Sequence, residues 1–170
     1  ELGCLVLAFK GILKRTLELG EGPFILFPTY LVPLEVFSRG LTTRPTYSFL
    51  VALVDAVSGS VSLYPATEIS ILDTDLPAAR KLQAKVSIGV ATALAEEAGR
   101  SAGKNGKWVS AFRVNSVKVD GSKVKAAWRA WRLDGESLTD TLTGRVEEFG
   151  AFLATLLAER PASTPPTEES

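Results

Sequence analysis

Two sets of residues in this chain have types and spacings that could do chemistry. The first is a group of aspartates. Asp73 and Asp75 stand two residues apart, and Asp55 lies between two apolar runs. Carboxylates do acid/base or metal work only where a fold gathers them in one pocket. Their simpler use is structural, with Asp55 bonding turn amides and Asp75 capping a helix. The chain has 170 residues, no histidine and one cysteine, Cys4. That excludes Ser-His-Asp triads, Cys-His dyads, His-based metal centres and intramolecular disulfides. Cys4 reads as a small apolar residue on a helix face. No catalytic residue, metal ligand or cofactor is assigned, and the chain reads as a non-enzymatic module.

The second set is cationic. Residues 100–134 hold nine Lys and Arg against Asp120 and Asp134, a local net charge of +7. Residues 1–99 carry −2 and residues 135–170 carry −5, so the neutral total hides a basic patch. Within the patch, Asp120-Gly121 is a strong signal for a two-residue hairpin. Such a turn opposes Val119 to Ser122, Arg113 to Trp128 and Phe112 to Arg129. Cations interleaved with rings suit a nucleic acid or another anionic polymer, neutralising phosphates and stacking on bases. The candidate residues are Lys107, Arg113, Lys118, Lys123, Lys125, Arg129 and Arg132, with Trp128 or Trp131 as the stacking ring. The competing use pairs the same cations with Glu136, Glu147 and Glu148. The loop from Gly99 to Lys107 is not a phosphate loop. Its glycine spacing is wrong, and it runs from helix to strand.

A third candidate surface is apolar. The segment Phe27-Pro28-Thr29-Tyr30-Leu31-Val32-Pro33 combines β-formers with two prolines. Proline cannot donate to a ladder, so this strand is expected to be bent or to lie at an edge. Phe27, Tyr30 and Val32 would then meet a partner strand or a dimer seam. The mean hydropathy is +0.17, and Tyr47 to Val54 is a nearly continuous apolar run. Such surface points to self-association.

The positioning elements follow from periodicity. Leu5, Phe9, Ile12, Leu13 and Leu17 recur at helical spacing over Leu2 to Leu19. Strands are expected at Phe24 to Phe37, Tyr47 to Val54 and Val61 to Tyr64. A second helix begins after Asp73-Thr74-Asp75, with Leu82, Val86, Val90, Ala93 and Leu94 as its apolar stripe, and ends at Gly99 or Gly103. Trp108 to Val119 and Lys123 to Leu133 are strands. A last helix runs from Asp140 or Thr143 to Ala158, with Leu142, Val146 and Phe149 inward. The expected fold is α+β: two α-β-β units, 1–72 and 73–158, with helices on one face of an antiparallel sheet and a C-terminal helix. Residues 1–160 form one domain, and 161–170 form a disordered tail. No segment is long and apolar enough to span a membrane. The chain starts at Glu1 and holds no methionine, which reads as a start inside a longer gene product or after a processed N-terminus and leaves the compartment unassigned.

The stretch Val51-Ala52-Leu53-Val54-Asp55-Ala56-Val57-Ser58-Gly59-Ser60-Val61 resembles the strand–turn–strand signature of PepSY-type modules. Ser58 stands where that signature has threonine. The second unit has only Asp134-Gly135 in the corresponding region. The resemblance covers about a dozen residues and the element order of the first half. It implies a non-catalytic inhibitory or binding module outside the cytoplasm or at a membrane.

Overall fold

Strand β2, Phe24–Arg39, is rich in aromatic and branched residues, which favour extended backbone. In the structure, a computed structural model that describes residues 4–9, 23–39, 44–74, 76, 79–102 and 113–151, β2 is the axis of the sheet. On one side it pairs with β3, Thr46–Asp55, from Thr29 to Ser38. On the other it pairs with β7, Arg113–Val119, and then with β8, Lys125–Asp134. A short strand, β6 (Arg80–Lys81), runs parallel to Ile25 and Leu26.

The edge position expected for the proline-bearing strand is therefore wrong. Phe27 and Val32 are buried, Tyr30 packs against a core cluster, and ladders occupy both sides. The positions of the prolines explain how a central strand tolerates them. The Pro28 carbonyl accepts from the Ala56 amide at 2.8 Å, so the backbone of residue 28 faces the β3 side, just past the end of β3. Backbone direction alternates along a strand, which turns the Pro33 nitrogen toward the β7–β8 side. There the ladder pauses between Leu34↔Val119 and Leu31↔Lys125. Each missing donor falls where one neighbour has given way to the next.

The hairpin expected at Asp120-Gly121 does not form. Both β7 and β8 are antiparallel to β2, so they run in the same direction, end to end. Five residues, Asp120 to Val124, lie opposite Val32 and Pro33, and the surplus is taken up by a 3-10 turn, Gly121–Lys123. The Asp120 carboxylate accepts from the Ser122 amide (3.2 Å) and hydroxyl (2.5 Å), which fixes the turn.

The expected α+β fold with two α-β-β units is likewise overturned. The remaining strands are β1 (Cys4–Phe9), β4 (Val61–Pro65), β5 (Ile69–Thr74), β9 (Ser137–Asp140) and β10 (Val146–Glu148). They join one large, curled, mainly antiparallel sheet of ten strands. Cys4–Phe9 is a strand against β5 rather than part of a helix. A short apolar run suits either element, and burial of Leu7 in the interior selects the strand. The rest of that expected helix lies outside the described residues, as does the 161–170 tail. The second helix starts late. Asp73 and Thr74 close β5, and α1 spans Ile88–Ala102, with the Ser87 hydroxyl capping the Val90 amide. Asp140 and Val146, expected in the last helix, lie in strands, and helical backbone resumes only at Phe149.

Both faces of β2 are covered. Leu31 meets Val51 and Leu53 of β3, Leu7 of β1, Ile69 of β5 and Ala127 of β8. Residues from five strands can reach one cluster only because the sheet curls around it. On the outer face, Val32 and Leu34 pack with Ala52 and Val54 beneath Ala91 and Ala95 of α1. The close approach of α1 is permitted by Gly99. A Cβ there would lie 3.1 Å from Val117 Cγ1 and 3.2 Å from Leu34 Cδ1, while one at Gly89 would meet open space. Gly99→Val is expected to destabilise by about 1–3 kcal/mol through overpacking. Gly89→Ala is expected to stabilise by up to about 1 kcal/mol. Urea-unfolding midpoints measure both.

Candidate binding site

The cations singled out in the sequence do not line one stripe. Arg129 stands opposite Phe27 on the inner face of β8, between Ala127 and Trp131. Its guanidinium forms a fork with Asp140: Nε donates to both oxygens at 3.2 Å, and one terminal nitrogen lies 2.5 Å from Oδ2. Burial opposes the Arg129 charge, but the hydrogen bonds and charge of Asp140 outweigh it and hold the guanidinium above its ordinary pKa. Arg132 pairs with Asp134 at 2.9 Å, and Lys123 with Asp120 at 2.9 Å. Hydrogen bonds from Ser122 and Lys123 hold the Asp120 carboxyl below its ordinary value, and the same contact raises the Lys123 ammonium. These partners are aspartates of the same segment and of β9. Glu147, one of the expected partners, pairs with Arg145 instead.

The rings are occupied too. Trp131 is buried against Phe27, with centroids 6.1 Å apart. Trp128 packs with Phe24, Leu26 and Ala130 on the outer face, and the Lys81 ammonium lies 5.6 Å from its ring centre. Arg113 falls opposite Arg39 of β2, not opposite Trp128. Lys118 stands across from Glu35. Lys107 lies outside the described residues. Of the aspartates, Asp55 bonds the amides of Val57 (2.7 Å) and Ser58 (3.1 Å) in the β3–β4 turn. Asp73 is exposed on β5, and Asp75 lies outside the described residues. Among the described residues, no three His, Cys, Asp or Glu gather where a metal ion could sit. No described helix is long and apolar enough to cross a membrane.

The site that the structure does assemble is on the inner face of the curled sheet, at the end away from Arg129. An open cavity of about 740 Å³ is bounded by Leu31 and Pro33 of β2, Val51 of β3, Ile69 and Ile71 of β5, and the 3-10 turn. Strand alternation carries the same face outward through Glu35 and Phe37 on β2 and through Phe49 and Tyr47 on β3. Tyr47 and Phe49 are 63% and 65% exposed, and the Tyr47 ring lies 5.0 Å from that of Phe37. Cavity and aromatic shelf therefore lie on the same face of the sheet. The sequence shows the apolar run from Tyr47 to Val54 but not which part of it is covered. The structure buries only Val51 to Val54 fully, since the ladder from β3 to β4 begins at Leu50↔Pro65 and leaves the first part of β3 overhanging. Lys125 rises at the cavity mouth, opposite Leu31, with no carboxylate within ion-pair distance among the described residues.

At the other end, the Arg129–Asp140 pair closes the interior. Asp140 is fully buried and also accepts from the Leu142 amide (3.0 Å) and the Thr143 hydroxyl (2.6 Å). Asp140→Ala leaves a largely buried guanidinium without its partner and is expected to cost about 3 kcal/mol or more. Arg129→Met with Asp140→Ala is expected to cost less than the sum of the single changes, because the charges are removed together. Thermal and urea unfolding of the three variants gives the comparison. No family model matches this chain, and no curated protein or solved structure is found to resemble it.

Proposed function

We propose that this protein is a non-enzymatic binding module that takes an apolar ligand at the open mouth of its curled sheet. One observation carries the reading: an open cavity of about 740 Å³, walled by Leu31, Val51, Ile69 and Ile71, lies on the face of the sheet that also exposes Tyr47 and Phe49. Small-molecule sites typically enclose roughly 300–1,000 Å³ and combine apolar walls with a few polar groups. The alternative of nucleic-acid or anionic-polymer binding has less support. Arg129, Arg132 and Lys123 are engaged by carboxylates, and Trp131 is buried. Polyanion binding needs several free cations along one track. The binding role implied by the PepSY resemblance agrees with this reading, on the strength of the β3–turn–β4 segment alone.

A neutral, environment-sensitive dye such as Nile red tests the proposal. Its fluorescence should rise on binding, and Ala66→Trp, which places a ring at the exposed rim of the cavity, should weaken binding several-fold. No rise with the unaltered protein overturns the proposal. Self-association is a second reading, supported by the same exposed Tyr47 and Phe49. Sedimentation velocity should then show an apparent mass that grows with concentration. Replacing both residues, Tyr47→Ser and Phe49→Ser, should abolish the growth, and a concentration-independent monomer removes this reading.

A further inference from the structure

The cavity lining is unbalanced in charge. Among the described residues it includes two cations, Lys123 and Lys125, and no acid. Lys123 is held by Asp120. That leaves Lys125 as the cation at the mouth with no carboxylate partner among the described residues. Its place in the strand is decisive. Lys125 shares the inner face of β8 with Ala127 of the interior cluster, and it stands directly across from Leu31. A lysine at such a position carries its ammonium on a flexible apolar stem above the wall formed by Leu31, Val51, Ile69 and Ile71.

The hydroxyls in the lining are already committed. Ser70 donates to the Ala8 carbonyl at 3.2 Å, and Ser122 to the Asp120 carboxylate. Recognition of a polar end therefore falls to charge rather than to a neutral hydrogen-bonding set. One available cation beside an apolar cavity matches a ligand with a single anionic end and an apolar body. A polyanion would need more cations, and a cationic or neutral end would leave the ammonium unpaired.

On these grounds we infer that the ligand is a single-chain amphiphile with one negatively charged end, its tail against Leu31, Val51, Ile69 and Ile71 and its head group on Lys125. This rests on the cavity being a binding site, as proposed above.

The test is displacement of Nile red by dodecanoate and by dodecanol, both below the concentrations at which they aggregate. Dodecanoate should displace the dye at roughly tenfold lower concentration, the size expected of one partly shielded charge pair. Added salt should narrow the gap. Lys125→Gln should bring the two amphiphiles within about twofold, while Lys85→Gln, an exposed lysine outside the lining, should leave the preference intact. Equal displacement by both amphiphiles, or equal loss in both variants, overturns the assignment of the head group and leaves the binding module standing. Failure of the dye itself to bind removes the underlying reading instead.

Discussion

Burial of β2 on both faces and hydrogen bonding along both edges is the constraint on which the rest of this structure depends. A strand so enclosed must satisfy every backbone donor and acceptor within the protein. Pro28 and Pro33 each lack a donor, and each is placed at a change of neighbour: β3 gives way beside Pro28, and the 3-10 turn separates β7 from β8 beside Pro33. The breaks in the ladder are thus tied to the prolines. They also decide where the sheet can bend, and the bend allows five strands to share one interior cluster.

The two ends of that interior differ in chemistry. At one end the Arg129–Asp140 fork and the turn it caps close the space, and Trp131 and Leu138 seal it with Phe27. A buried pair of this kind adds little net stability over an apolar filling, but it fixes one arrangement, since either charge left alone is costly. At the other end, β2 and β3 run on past the end of β4. No described strand covers Tyr47 and Phe49 there, and the inner face continues into the open. The cavity is the consequence of strands of unequal length in a curled sheet. The place of Lys125 at its mouth, with no carboxylate partner among the described residues, is a consequence of register, because Lys125 is the first residue of β8 after the turn.

Much of the local structure is legible in the residues. The strands around Phe24 to Phe37, Tyr47 to Val54, Val61 to Tyr64 and Lys123 to Leu133 are near their observed bounds, because β-formers cluster there between turn signals. Asp55 bonds its own turn, as its place before Ser58-Gly59 suggests. Other elements were hidden. The alternation of Ile69 and Ile71 marks β5, but the aspartates that follow also make a plausible helix start. Leu5 to Phe9 fit a helical spacing as well as a strand. Of the candidate site, the sequence shows Lys125 as one cation among nine and gives no sign that it stands beside an apolar cavity.

Two identical dipeptides show where local information ends. Asp134-Gly135 sits at a two-residue reversal, with Gly135 at φ +63° in the first loop position and Asp134 opposed to Ser137. Asp120-Gly121 does not; the chain jogs through a 3-10 turn and continues in its original direction. After Asp134 the reversal carries Leu138 into the interior beside Phe27 and Trp131. After Asp120 the unfilled edge of β2 lies straight ahead, and pairing with it from Lys125 to Arg132 outweighs the preference of one turn. The sequence alone determined composition, the absent chemistries, strand-forming stretches and turn-forming residues, all of which depend on neighbours within a few positions. Tertiary structure alone decided which strand is central, which cations meet aspartates and which face stays open, because each of these depends on residues far apart in the chain competing for the same edge or the same interior space.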